Sequence, residues 1–473
     1  MDLIRHPIVG RAIRWRHLRT AVQLLLLAVA GAVVLHGLFG PPIAPRNLAT
    51  VLTAIHWRGL LVIALLAAGN LFCTSCPMIL ARDAGRRVLS PTRHWPRRLR
   101  GKWLALGLLV LVLFAYELFD LWELPRATAW LVLGYFAAAL VVDLTFKGAS
   151  FCRYVCPIGQ FNFMASTMSP TELQVRDLST CRSCRTSDCI KGRYSAVPPL
   201  RLEQRGCELG LFLPAKVGNL DCTLCLDCVR ACPHDNIALN TRVPGVEWLV
   251  PGRRSGLGRV LQRADLAAFA LVFTFAALLS AFAMTAPAFR LARSFAGTWG
   301  VRGEALPLML MFAVTLVVLP AVLLAGPTLL TRHLAVVRRP VLATAIPYAY
   351  ALVPFGFGVW LAHYGFHLLT GALTVVPVTQ SAAIDVAGTP ALGEPAWRLI
   401  GLAAGSVFPI QLGLVLLGAM GSIGLVHATS RRDHPSHSVV ASLPWVAVVV
   451  VLAVAALWLF AQPMEMRGMS ASG

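Results

Sequence analysis

Apolar residues in this 473-residue chain gather in long runs. About twenty such residues are the length that crosses a hydrocarbon core as an α-helix. Nine runs of that kind are present, at roughly 20–39, 57–76, 103–121, 128–146, 266–286, 305–326, 342–369, 397–425 and 440–462. Prolines such as Pro347 and Pro354 in the seventh and Pro409 in the eighth lie inside some of them. The pattern predicts four N-terminal spans, a polar segment of about 120 residues, and five further spans.

Composition agrees with burial in lipid. Hydrophobic residues make up 57% of the chain and charged residues only 13%, where soluble domains carry about 25% charged. The net charge of +21 would fit a nucleic-acid binder, but its distribution excludes that reading. Alternate loops hold 34 of the 42 Lys and Arg residues: five in the N-terminal tail, eight in "ARDAGRRVLSPTRHWPRRLRGK", sixteen from Lys147 to Arg263, then three and two. Stretch 371–396, on the opposite side, has none. Basic residues accumulate in cytoplasmic loops. The alternation therefore predicts a multi-pass protein of a bacterial inner membrane, with the N-terminus and the polar segment cytoplasmic and the C-terminus periplasmic. The basic start runs straight into the first span, so no cleavable signal is expected.

All twelve cysteines fall between Cys73 and Cys232, on the side expected to be cytoplasmic. Thiols there stay reduced, and clustered ones bind metal or do redox chemistry. The run "CTLCLDCVRACP" sets Cys222, Cys225, Cys228 and Cys232 at C-x2-C-x2-C-x3-C-P, the spacing of bacterial ferredoxins. In that pattern three close thiolates hold one 4Fe–4S cluster and the fourth serves a neighbour. A zinc knot takes four thiolates as well, but it typically pairs two C-x2-C units across a longer gap. The degenerate run "CRSCRTSDC" supplies Cys181, Cys184 and Cys189, and Cys207 stands alone in "QRGCELG". The crossed pattern assigns Cys181, Cys184, Cys189 and Cys232 to one cluster, and Cys207, Cys222, Cys225 and Cys228 to a second.

Four thiols remain. Cys73 and Cys76 in "FCTSCPM", and Cys152 and Cys156 in "SFCRYVCPIGQ", close on proline at the cytoplasmic ends of the second and fourth spans. They could hold a third cluster, cycle as redox dithiols, or serve structure alone.

These motifs resemble the membrane-bound 4Fe–4S polyferredoxins of the NapH, NosR and CcoG type. The resemblance covers about residues 20–240 and rests on "FCTSCPM", "FCRYVCPIGQ", "CTLCLDCVRACP" and "CRSCRTSDC". It implies electron passage between quinone, or another membrane partner, and a cytoplasmic or respiratory redox partner. The chain would then be a component of an oxidoreductase system rather than a stand-alone enzyme. The alternatives are a CcoG-like maturation factor that reduces a metal ion or a partner metalloenzyme, and a membrane-anchored redox regulator. The chain departs from the family in the CxxCP spacing of its first motif, in lacking an N-terminal flavin domain of the NosR kind, and in its five C-terminal spans.

Those five spans carry their own candidates. His363 and His367 in "GVWLAHYGFHLLTG" are four apart, hence on one helix face. Ionisable groups in a span are costly and often functional, so a quinone or haem site competes with plain interhelical hydrogen bonding. A single helix cannot offer both rings to opposite faces of one haem. His36, His56, Glu117 and Asp120 are polar candidates toward the outer surface, and Asp143 and His427 toward the inner one. The fragment "PGRRSGLG" reads as a flexible basic linker, and the Arg-rich loops as topology determinants that could also meet anionic lipid heads.

The expected architecture is an all-α polytopic membrane protein of about nine helices with an inserted ferredoxin-like 2×[4Fe–4S] domain. Its parts are a four-span domain (1–150), the CxxxCP motif with the iron–sulfur segment (151–240), a basic linker (241–264) and a five-span domain (265–473).

Overall fold

The structure, a computed structural model, describes residues 2–15, 17–195, 198, 201–300 and 303–463. The C-terminal tail 464–473, expected to be periplasmic, lies outside them. The helices used below are α1 (Pro7–Arg14), α2 (Leu18–Phe39), α3 (Leu48–Ala68), α4 (Met78–Val88), α5 (Trp103–Leu118), α6 (Pro125–Thr145) and α7 (Pro157–Ala165). They continue with α8 (Ala264–Phe282), α9 (Ala286–Trp299), α10 (Ala305–Leu334), α11 (Val341–Gly371), α12 (Val375–Ala387), α13 (Ala404–Asp433) and α14 (Pro435–Phe460). Among the described residues eight helices are long and apolar enough to cross a membrane: α2, α3, α6, α8, α10, α11, α13 and α14. By length and composition this is a multi-pass membrane protein.

The nine expected runs differ from these eight in instructive ways. Run 103–121 becomes α5, only 16 residues long, or about 24 Å at 1.5 Å per residue. It stops because the chain turns at Asp120, whose φ is +45°. Run 57–76 shifts toward the N-terminus: Asn47 caps α3 by accepting from the Ala49 N–H, and the helix ends at Gly69, with φ +82°. Run 397–425 begins as a helix only at Ala404, while the apolar α12 occupies part of stretch 371–396, expected to be loop.

The chain forms two compact units that are not consecutive in sequence, unlike the parts expected from composition. One comprises Met1–Val29, Ala64–Ala105 and Tyr135–Arg263; the other comprises Ala30–Ile63, Leu106–Gly134 and Ala264–Gly473.

The first unit contains every cysteine. Its small sheet pairs β1 (Thr171–Val175) antiparallel with β4 (Ile237–Thr241), Leu173 opposite Leu239. A minimal hairpin joins β2 (Arg193–Tyr194) to β3 (Leu202–Gln204). Two buried carboxylates moor the loop before Cys222: Glu172 accepts from the Gly218 N–H at 2.6 Å, and Glu247 from the Asn219 N–H at 3.0 Å. Arg242 and Lys216 balance them. The stretch read as a flexible linker is docked here. Arg254 is 3% exposed and donates to the carbonyls of Glu247 and Val250.

In the second unit, α8 and α11 are largely buried. Membrane helices pack through small residues that admit close backbone approach, and α11 does so at two glycines. A Cβ on Gly356 would lie 2.7 Å from the Thr274 Cα, and one on Gly358 would lie 2.6 Å from the Leu414 carbonyl oxygen. Proline at position 354 breaks α11 at Leu352. A neighbouring hydroxyl takes one freed amide: Ser422 accepts from the Phe355 N–H at 3.0 Å, while the Leu352 carbonyl accepts the Gly356 N–H at 3.0 Å and the Thr274 hydroxyl at 3.4 Å. This is the repair that broken helices need in lipid.

Candidate functional site

Both Cys-Pro motifs do the same local work. Proline is tolerated where a helix starts, so each motif launches a helix, and the preceding cysteine sits at its N-terminus. The Cys156 Sγ accepts the Gly159 N–H at 3.1 Å as the cap of α7. The backbone N–H groups of Met78 and Ile79 likewise reach Cys76, just ahead of α4. A helix N-terminus favours thiolate over thiol. Between Cys152 and Cys156 the backbone widens into a π turn, Phe151–Val155, closed by the Cys156 N–H on the Phe151 carbonyl at 2.8 Å. Such single turns mark functional sites frequently. Asn162 donates to the Cys73 Sγ at 3.5 Å, and Asn70 caps the turn that carries it.

The twelve cysteines fall into three neighbourhoods of four. Cys73, Cys76, Cys152 and Cys156 lie within electrostatic reach of one another. So do Cys181, Cys184, Cys189 and Cys232, with Asn236 joining them: its side chain donates to the Cys181 Sγ at 3.3 Å and its N–H to the Cys232 Sγ at 3.4 Å. Cys207, Cys222, Cys225 and Cys228 form the last neighbourhood. All twelve are free thiols. No group of three or more His, Cys, Asp or Glu among the described residues is drawn together tightly enough to hold a single metal ion.

The backbone of these loops is unusual. Asp221, Leu224 and Leu226 adopt positive φ (+60°, +53° and +62°), as do Ser187 at +54° and Asp235 at +44°. A bulky residue in the left-handed region is an outlier that the surroundings must enforce. Here it curls the segments around the cysteines.

Buried ion pairs hold that curl. Glu208, beside Cys207, takes a two-point contact from Arg82 at 2.9 and 3.2 Å. Asp227, beside Cys228, pairs with Arg19 at 2.6 Å. Burial would raise the Glu208 carboxyl, but Arg82, Arg19 and Arg205 overcome it and hold it at about 2. The loop is also stitched to the residues after α3: Thr74 donates to the Thr223 carbonyl at 2.6 Å. Sequence reasoning missed Arg19, Arg82, Glu208 and Asp227. Their signal was an adjacency, because acids are scarce in this chain and Glu208 and Asp227 are among the four that directly neighbour cysteines.

Burial pushes the thiols of Cys152, Cys225 and Cys228 well above their ordinary range and Cys189 up to about 11. Cys184, which accepts from the Ser187 backbone and the Thr186 hydroxyl, is lowered. Thiolates crowded into such burial need a compensating cation, and metal binding supplies one.

His363 and His367, in the second unit, stand with ring centroids 5.0 Å apart and planes at 88°. His363 is 1% exposed, and neither of its nitrogens has a hydrogen-bond partner, nor has Nε2 of His367. Arg58 lies within electrostatic reach of both and over the Tyr116 ring at 4.0 Å. By contrast, His36 is committed to Asp385 at 3.1 Å and to the Leu48 N–H, and His56 to the Val51 and Ala372 carbonyls. Those two are structural. Asp143 accepts the Phe151 N–H at 2.9 Å and so fixes the start of the π turn.

No protein-family model matches the chain. No solved structure matches it either. A stretch of 94 residues, 20% of the chain, is 30% identical to the Escherichia coli (strain K12) protein named "Putative electron transport protein YccM". The match spans 22% of that protein, so the chain covers about a fifth of the length of this curated relative.

Proposed function

We propose that the chain is an electron-transfer protein of a bacterial inner membrane, with its cysteines cytoplasmic and held as ligands of 4Fe–4S clusters. The observation that carries this reading is the gathering of twelve free thiols into three sets of four. The relative named for electron transport adds support. Cys181, Cys184, Cys189 and Cys232 would hold one cluster, and Cys207, Cys222, Cys225 and Cys228 the second. Cys73, Cys76, Cys152 and Cys156 would hold a third. A 4Fe–4S cluster supplies one-electron chemistry whose potential follows burial and hydrogen bonds to sulfur.

The chain's own residues set those terms. Asn236, Asn162 and the Gly159 N–H donate to sulfur. Arg19 and Arg82 surround the inner loops with fixed positive charge. His363 and His367 offer unpartnered nitrogens to a quinone, or one of them to a haem with a second ligand from another helix. A soluble or membrane redox partner completes the system.

Anaerobic purification with iron and sulfide analysis and EPR tests the reading. About twelve irons per chain is the expected result, with four per four-cysteine set. About eight irons would convert the membrane-exit set into a dithiol pair. Colourless protein carrying zinc or no metal overturns the proposal.

A further inference from the structure

In the first unit a cavity of about 420 Å³ is lined by His94, Arg100, Lys102, Lys147, Arg153 and Arg263. That volume falls within the range of small-molecule sites. Positive residues that merely set topology can spread into water. Here they converge on one recess, and Arg153 and Arg263 both act electrostatically on Lys102.

The two carboxylates on the wall cancel only part of this charge, because Asp221 neutralises Lys102 alone and Glu208 is taken by Arg82, which is not on the wall. Lys102 pairs with Asp221 at 2.6 Å, and Arg82 takes Glu208 in a two-point contact. Arg153 spends one amino group on the Leu209 carbonyl at 3.1 Å, and a guanidinium has five N–H donors in all. One side of the recess is aromatic: Trp95 stacks on Tyr154 at 5.5 Å with planes 8° apart, and the Trp95 indole is anchored to the Leu99 carbonyl at 2.9 Å. Several cations around one concavity repel one another, and a multiply charged anion relieves that repulsion. Phosphate suits guanidinium and ammonium donors best.

We propose that this cavity binds a phosphate-bearing anion, held by Arg153, Lys147, Arg100 and Arg263. The site rests on its own geometry and not on the clusters. It does, however, touch the segments that carry two thiol sets: Tyr154 lies between Cys152 and Cys156, and Asp221 precedes Cys222. An occupant therefore sits against both. The same chemistry is offered by a soluble nucleotide phosphate and by the headgroup of an anionic phospholipid.

Calorimetric titration of the full chain in neutral detergent with pyrophosphate and with ADP tests the soluble source. Lipid retained by the purified chain, after exchange into discs of phosphatidylcholine with or without phosphatidylglycerol, tests the lipid source. The variant K147Q/R153Q should weaken whichever ligand binds by tenfold or more, and R338Q, a control on another loop, should leave it unchanged. Because Arg153 also braces Leu209, K147Q alone serves as a second variant; its side chain is exposed, and it should weaken binding severalfold at an unchanged melting temperature. Binding of neither ligand by the wild-type chain overturns the proposal, as does equal binding by wild type and both variants. Iron measured on the same samples separates this outcome from failure of the cluster assignment.

Discussion

On the proposed assignment of the cysteines to three clusters, removing a single cysteine has a bounded effect. Cys225→Ser should cost about four irons per chain and spare the other sets, checked by iron analysis and EPR. Glu208 shows why neighbours of cysteines matter as well. Its two-point contact with Arg82 keeps a guanidinium only 3% exposed from being stranded. Glu208→Gln should therefore destabilise the chain on the order of 3 kcal/mol, read as a lower melting temperature in detergent. Asp83 still touches Arg82 at 3.0 Å, so the loss stays below that of a fully orphaned charge. Asn236 contacts two sulfurs of one set. Asn236→Ala should leave the iron count unchanged and lower the potential of that centre, because donation to sulfur stabilises the reduced form; a redox titration followed by EPR decides it.

Elements were legible where periodicity and length agree, and less so where backbone geometry intervenes. The runs at 20–39, 266–286 and 440–462 overlap α2, α8 and α14 closely, because nothing interrupts their apolar sequence. Run 103–121 is strongly apolar up to Tyr116, yet the turn at Asp120 cuts α5 to 16 residues. Hydropathy carries no information about such a turn. The cysteine runs stand out in the sequence, whereas the π turn at Phe151–Val155 and the left-handed φ of Leu224 and Leu226 were invisible. Leucine has no preference for that conformation. Packing between α11 and α13 was hidden too, since Gly358 looks like any other glycine of the chain until Leu414 faces it. Gly358→Ala should cost about 1–3 kcal/mol, measured as loss of folded protein on heating.

At the scale of the whole chain, proximity in space does not follow order in sequence, since each compact unit draws on three separated stretches. Charge is where the reading was most incomplete. The basic loops were taken as topology signals, yet Arg82 and Arg254 are buried partners of loop carboxylates and carbonyls. The single break in α11 bears on the fate of the entire molecule. One hydroxyl, that of Ser422, quiets the Phe355 amide that the break leaves without a helical partner. Trading that hydroxyl for a hydrogen strands a polar group where water cannot come to its aid. The injury would surface during biogenesis, as nascent chains cleared by quality-control proteases.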